Sequence, residues 1–575
     1  MTTATKHPAR TDSRHAEPPR ANISDFIFEQ ARERPLQAAV IEQRTGRRVT
    51  FGELARRVEN VAFGLAQLGI GDGSRALLAV KPGIDFVVTV FALFRAGAVP
   101  VVVDPGMGRK NLLACIEQAR PQALVGIPLA HALSLRYRRV FGAPKRVTVG
   151  RRWFWGGATL RELERRNVSG SHAAPTTWSA TAAILFTSGA TGTPKGVVYH
   201  NGMFVEQVRM IRAAYDIRPG EIDVACFALF ALFSVAMGVT IVLPNIDFSR
   251  PGKCDPAKIV DAIRESGATI SFGSPAIWRK VGSYLLDNNL RLPTLRRVLI
   301  AGAAVPHATL GQLADRIAPG GEIHTPYGAT ESLPLSTIGS REVLAETRFD
   351  TQAGSGVCVG KPLPGVSVKV ARIVDGPIST IGDMQELKAG EVGEILVRSA
   401  VTTQEYFGNE GANAQSKVRD GGDTQTQRWH RMGDTGYFDA KGRLWYCGRV
   451  AHTVWTAQGP LFPEQVEGLF CNHNAVARSA LVGIGAKGAQ EPVIIAELHG
   501  GTIPAADLRG RIETELLQMA QAHALTRQVK RALFHPAFPV DARHNAKIDR
   551  EALARWVGKL LVSAPLRVTA VVVGG

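Results

Sequence analysis

Apolar and polar positions alternate along the chain in two periods. The stretch TFGELARRVENVAFGLAQLGI carries apolar residues at helical spacing, and GIGDGS, with Gly69, Gly71 and Gly73, ends it. RALLAV and VPVVVD are short β-branched runs, with the helix-like DFVVTVFALFRAGA between them. That is the rhythm of strands and crossover helices in a mostly parallel sheet buried on both faces. It recurs through TISFGSP and RRVLIAGAAV as far as EIHTPYGATE. From Val366 short β runs take over, in VSVKVARIV, GEILVRS and GYFDAKGRLWYCGR, and predict a β-rich subdomain. NEGANAQSKVRDGGDTQTQRWH has almost no apolar residue and predicts an exposed loop.

The pattern predicts an α/β fold with three parts. Residues 1–22 are polar, lack an apolar signal region, and read as a disordered tail. Residues 23–449 form a large domain of mostly parallel sheets wrapped by helices, with the β-rich subdomain at its end. Residues 450–575 carry their own mix of strands and helices and read as a small α+β domain. One uncharged stretch, Val224 to Ile246, is long enough to cross a bilayer. Asp223 and Asp247 flank it and Ser, Gly and Pro interrupt it, so a buried strand followed by a buried helix fits it too.

Composition narrows the class. With 575 residues the chain is too long for one core, and its 45% hydrophobic and 21% charged residues are those of a globular protein. The net charge of +18 suits anionic partners. The densest basic run, LRYRRVFGAPKRVTVGRRWFW, holds Arg136, Arg138, Arg139, Lys145, Arg146, Arg151 and Arg152 with no acidic residue, and ends in Trp153, Phe154 and Trp155. It reads either as a solvated face beside core aromatics or as a peripheral contact patch for a membrane or partner. No nucleic-acid-binding motif accompanies it, so nucleic acid is not an expected partner. Six scattered cysteines without a CxxC pair argue for reduced thiols, hence for the cytoplasm.

The candidate chemistry begins at TSGATGTPKG. Gly189, Gly192 and Gly196 permit close backbone approach to a phosphate, Thr187, Ser188, Thr191 and Thr193 supply hydroxyls, and Lys195 a cation. Pro194 and Gly196 flank the lysine where a Walker A loop has Gly and Ser/Thr, so the loop is of another kind. TPYGATES (Thr325 to Ser332), GDTGYFDAKGRLWYCGR (Gly433 to Arg449) and RHNAKI (Arg543 to Ile548) follow it. In that order and spacing, these motifs resemble those of the adenylate-forming superfamily, which includes acyl-CoA synthetases, luciferases and peptide-synthetase adenylation domains. The resemblance runs from about Phe26 to Trp556.

It implies an enzyme that joins a carboxylate to the α-phosphate of ATP, with Mg²⁺, and a C-terminal domain that moves. It implies that Thr187 to Lys195 holds the departing phosphates. Gly302, Ala303, Tyr327 and Gly328 would line the adenine site, Thr330 would stand near the α-phosphate, and Glu331 would bind Mg²⁺. Asp434 would accept both ribose hydroxyls, Tyr446 and Arg449 would lie near ribose and phosphate, and Lys547 would bridge carboxylate and α-phosphate. Departures from the pattern are Ala190 in the phosphate loop, Ala451 at the hinge position, and the missing GYxI after Arg449 that helps form a pantetheine tunnel. His452 and His544 are bases for a second step or surface histidines.

Four further segments, VVVDPGMGRKNLLACIEQARPQALVGIP, CFALFALFSVAMG, IDFSRPGKCDP and FPVDARHNAKIDREALARW, resemble one branch, the β-lactone synthetases of bacterial long-chain olefin biosynthesis. That likeness implies a 2-alkyl-3-hydroxy fatty acid as substrate and a place beside other olefin-biosynthesis enzymes. A long-chain acyl-CoA or acyl-AMP ligase is the alternative. Phe227, Phe230 and Phe233, at spacing three, read as a slot for alkyl chains or as ordinary core aromatics.

Overall fold

The computed structural model describes residues 20–142, 144–166, 168–187, 194–421, 428–540 and 547–563. Its strands fall into four sheets, of fourteen, seven, three and two strands. In the seven-stranded sheet, Ala123–Gly126, Arg75–Ala79, Val99–Val103 and Thr181–Thr187 run parallel as neighbours, and Lys195–His200 closes one edge antiparallel. In the larger sheet, Ala38–Glu42, Thr240–Leu243, Ile222–Ala225, Ile270–Gly273, Arg297–Ile300 and Glu322–Ala329 are parallel. The chain then turns back, and every later pairing in that sheet is antiparallel. This is where the short β runs after Val366 lie.

One core spans both large sheets. Val40 and Ile241 of one and Ala76, Val125 and Ala183 of the other belong to a single buried cluster, with the helices Phe51–Gln67 and Ile84–Arg95 contributing to it. The second helix is apolar all round because it is covered all round. Its one buried cation, Arg95, is paired with Glu59 at 3.0 Å and Asp25 at 2.9 Å.

The stretch from Val224 to Ile246 is the end of one strand, the helix Ala228–Ala236 and the strand Thr240–Leu243. No described helix is long and apolar enough to cross a membrane. Two expectations need correction. Arg20–Asn22 do not belong to a disordered tail: Arg20 bridges Thr177, and the buried Asn22 side chain donates to the Phe94 carbonyl at 2.7 Å. The polar stretch from Asn409 is not simply a loop. It forms the helix Glu410–Ser416 and the strand Lys417–Arg419, and the strand Arg428–Phe438 begins within it. Asn409 caps that helix by accepting from the Ala412 amide, and Lys417 is buried, so polar side chains satisfy local backbone where apolar ones were absent.

After Arg449 comes a short 3-10 turn, Val450–His452. Beyond it, Val476–Ile484, Glu491–Leu498 and Arg531–Phe534 build the three-stranded sheet, with the helices Ala506–Ala522 and Arg550–Ser563 packed on it. Arg550 ties the last helix to the helix Pro463–Phe470: it lies 2.6 Å from Glu467 and 3.5 Å from Glu464. Burial, with Glu467 beside it, pushes the Glu464 carboxyl up to about 7.

Arg550→Met would leave both glutamates facing each other without their cation. Removing one partner of a buried pair costs about 3–5 kcal/mol. Native-state hydrogen exchange is expected to quicken in Val476–Ile484 and Glu491–Leu498 and to stay unchanged in the seven-stranded sheet.

Candidate active site

The strands Glu322–Ala329 and Ser332–Gly339 form a hairpin in which Ala329 opposes Ser332, so Thr330 and Glu331 are its two-residue turn. Gly328 is required by close packing: a Cβ there would stand 2.8 Å from the Ser332 carbonyl oxygen. The turn is held from the other sheet. The Tyr199 hydroxyl donates to the Thr330 carbonyl, and Gln207 donates to the Leu333 carbonyl at 2.9 Å.

Tyr406 is the hub of the electropositive side. Its hydroxyl donates to Glu331 Oε1 at 2.8 Å. Lys195 Nζ lies 5.1 Å from its ring centroid and Lys417 Nζ 5.3 Å, so one aromatic ring serves two ammonium groups. Lys195 itself stands opposite Thr187 at the open end of their strand pair. Lys417 is buried and donates to the Thr403 carbonyl and, at 2.9 Å, to its hydroxyl. Burial pushes its ammonium down to about 7; Glu331 opposes this, while Arg428 and Lys195 add to it. Burial, then Lys417, also holds His430 well below its usual range, so this imidazole is neutral at pH 7.

Asp434 and Arg449 face each other across neighbouring strands. Asp434 is buried; one oxygen accepts from Arg449 at 2.7 Å and the other from Tyr327 at 2.6 Å. Each oxygen keeps a second lone pair for a ligand. Burial and the Asp434 charge raise the Tyr327 and Tyr446 hydroxyls, whose rings lie 5.9 Å apart, so both stay protonated donors. The Asp434 charge holds Arg449 above its usual value, and Glu331 contributes to the same field. Thr187, Lys195, Tyr327, Thr330, Glu331, Asp434, Tyr446 and Arg449 thus occupy one connected region.

Gly302 and Ala303 follow the strand Arg297–Ile300, neighbour of the hairpin strand, and Gly302 has φ +107°, open to glycine. Phe230 stacks on Phe272 at 4.0 Å and lies 5.5 Å from Phe233, and Phe227 lies 6.2 Å from Phe272. Phe204 links Phe233 to Tyr199, so an aromatic column runs from the Thr330 turn into the core. Phe233 is core, whereas Phe227 and Phe230 are half-buried. Lys547 is exposed just ahead of the helix Arg550–Ser563. His452 is not a surface histidine: its Nδ1 is buried, and burial with Arg550 and Arg449 nearby pushes it down to about 4. Ser188, Gly189, Thr191, Gly192, Thr193 and His544 lie outside the described residues.

A carboxylate turn among lysines and arginine, beside tyrosines and a buried aspartate, has the charges and donors that a phosphorylated, ring-bearing ligand requires. The chain belongs to the AMP-binding enzyme family, whose model matches residues 27–407, and it has the adenylate-forming fold. Two relatives are olefin β-lactone synthetases. The one from Xanthomonas campestris is 44% identical over 94% of this chain and 98% of its own. The one from Stenotrophomonas maltophilia is 44% identical over 93% and 98%. A solved o-succinylbenzoate CoA synthetase from Bacillus subtilis, in complex with ATP and magnesium ion, superposes with a TM-score of 0.71 at 22% identity, over 92% of this chain and 98% of that one.

Tyr199, Tyr406 and Lys417 were absent from the sequence-derived site. Tyr406 follows the predicted strand GEILVRS at a distance that only the fold folds back, and a lysine in a polar stretch carries no mark of burial. Because Lys417 titrates near 7 when folded and at its ordinary 10.5 when unfolded, the folded chain holds fewer protons across that window. Stability therefore rises with pH there, and the burial penalty is fully present below pH 7. Lys417→Met is expected to lose this slope. Urea unfolding at pH 7, 8 and 9 should show wild type gaining on the variant by up to about 1.4 kcal/mol per pH unit.

Proposed function

We propose that this protein adenylates a 2-alkyl-3-hydroxy fatty acid and closes it to a β-lactone, as a step in long-chain olefin biosynthesis beside other enzymes of that process. The observation that carries this is the 44% identity to olefin β-lactone synthetases over nearly the whole chain. The two characters of the site agree with it: a cationic half suited to a triphosphate and an aromatic column suited to alkyl chains.

In the proposed reaction a carboxylate oxygen attacks the α-phosphorus and pyrophosphate leaves. Lys195 and the Thr187 loop hold the departing phosphates, and Lys547 neutralises charge between carboxylate and α-phosphate. Gly302, Ala303, Tyr327 and Gly328 receive adenine, Asp434 the ribose hydroxyls, and Tyr446 and Arg449 flank them. The 3-hydroxyl oxygen then attacks the acyl carbon, the bond to AMP breaks, and the hydroxyl proton is released. A hydroxyl held beside an activated carbonyl reacts with effective molarities of about 10⁵–10⁸ M when well oriented, enough to outrun water. Phe227 and Phe230 set the alkyl chains.

Glu331 is the proposed Mg²⁺ ligand. Among the described residues no three acidic, His or Cys side chains converge on a metal site. A single carboxylate whose second oxygen accepts no hydrogen bond among the described residues fits a cation that takes its remaining ligands from phosphates and water. Mg²⁺ there would neutralise triphosphate charge.

Purified protein with ATP, Mg²⁺ and a 2-alkyl-3-hydroxy fatty acid is expected to give β-lactone, AMP and pyrophosphate without CoA, by NMR. A thioester formed only with CoA would make the protein an acyl-CoA ligase instead. Lys547→Ala is expected to slow pyrophosphate release by about 100-fold or more, with AMP affinity by calorimetry within about threefold of wild type.

A further inference from the structure

The basic run between Glu117 and Glu162, which contains no acidic residue, folds into a feature that the site does not use. After the strand Lys145–Thr148 the chain projects as a finger, 149–157, and returns through Gly156 and Gly157. Gly157 has φ +79°, and a Cβ there would stand 2.3 Å from the Arg146 carbonyl oxygen, so the return is tight. Trp155 anchors the finger: it is buried, donates to Thr148 Oγ1 at 2.9 Å, and stacks on His131 of the helix Pro128–Arg136 at 5.3 Å. Upon this base sit Trp153 and Phe154, with ring centroids 5.2 and 5.6 Å from that of Trp155. They are 55% and 81% exposed, and Leu129, on the same helix as His131, is 73% exposed.

Globular proteins rarely show two adjacent large aromatic side chains to water, and aromatics held on a rigid base lose little freedom on burial. Their surroundings are cationic. Arg151, in the finger itself, is exposed and makes no ion pair among the described residues, whereas Arg152 pairs with Glu162 at 3.1 Å. Arg138 and Arg139, on the short helix Arg138–Phe141 before the strand, are exposed and likewise make no ion pair among those residues. An aromatic tip on a segment whose exposed charges are all arginines is complementary to the interface of an anionic bilayer, where indoles rest at headgroup depth and guanidinium groups meet phosphates. A protein partner would need a pocket shaped to receive the protruding rings, whereas a bilayer interface accepts them without one.

The position of the finger adds a reason. It leaves the C-terminal end of its strand, and so does the chain at Thr187, where the candidate phosphate loop begins. These strands are parallel and separated by three others, so the two points share one edge of the sheet, roughly 19 Å apart. We propose that the finger 149–157 docks this protein on an anionic lipid surface, setting the site edge of the seven-stranded sheet toward the bilayer.

The full-length protein should be floated with vesicles of phosphatidylcholine, with and without phosphatidylglycerol. Binding is expected only with phosphatidylglycerol, and it should weaken with salt. Trp153→Ser/Phe154→Ser and, separately, Arg139→Glu/Arg151→Glu are each expected to lose about tenfold or more in vesicle affinity. Both should keep wild-type thermal unfolding and turn over a short-chain, water-soluble hydroxy acid within about twofold of wild type. Wild type that ignores anionic vesicles, or either variant binding them as wild type does, overturns the proposal. If the aromatic variant instead changes the mass of the free protein in sedimentation, the face joins copies of this chain, and the lipid assignment falls.

Discussion

The site depends on one strap of chain, Thr402–Phe407, laid between the two large sheets. Its Phe407 amide donates to the Gly196 carbonyl at 2.7 Å, and Glu405 accepts from the Val198 amide at 3.3 Å, on the seven-stranded side. On the other side the Thr403 amide donates to the Glu331 carbonyl at 2.8 Å, and Thr402 shares a hydroxyl hydrogen bond with Ser332 at 2.9 Å. Lys195 and Glu331 come from different sheets, and nothing in either sheet alone sets their separation. The strap does so mostly with backbone, which moves less than any pair of long side chains, and the Tyr199 hydroxyl on the Thr330 carbonyl adds a direct tie. Tyr406, in its middle, then adds a hydroxyl for the carboxylate and a ring for the ammonium groups.

Motif residues stood out in the sequence because their chemistry is written in short runs. Tyr327, Thr330 and Glu331 lie within one hairpin, and Asp434 and Arg449 within one pair of strands, so proximity in sequence was close to proximity in space. The parallel-sheet rhythm was visible for a similar reason: its strands are buried on both faces and so read as continuous apolar runs. What escaped notice was held by polar contacts between distant segments. The helix Glu410–Ser416 and the buried Lys417 looked like loop because their stability comes from caps and hydrogen bonds, which leave no periodicity. No local pattern marks Tyr406; its contacts with Glu331, Lys195 and Lys417 exist only once the strap crosses between sheets. Arg20–Asn22 carry no apolar signature that sets them apart from the polar residues before them, because what holds them is a buried asparagine.

Electrostatics divides the molecule into regions of distinct use. Around Glu331 the cations Lys195, Lys417 and Arg449 outnumber the carboxylates, and low dielectric makes that excess felt. A buried lysine that is only partly charged near neutrality tempers the field without emptying it. Around Arg550 the balance is reversed, two carboxylates to one guanidinium, and one of the acids takes up a proton near neutrality. The first arrangement awaits an anionic ligand, whereas the second closes on itself and serves the packing of the C-terminal segment.

The two-residue turn at Thr330 and Glu331 has a further consequence for how such a protein diversifies. Its register is fixed by backbone pairing and by a glycine that admits no side chain, so the turn offers mutation almost nothing to vary. The aromatic column behind it is built of side chains from two helices and from one strand of each large sheet. The column can therefore be repacked while the turn keeps its place, and divergence among chains of this fold should accumulate in the column and spare the turn.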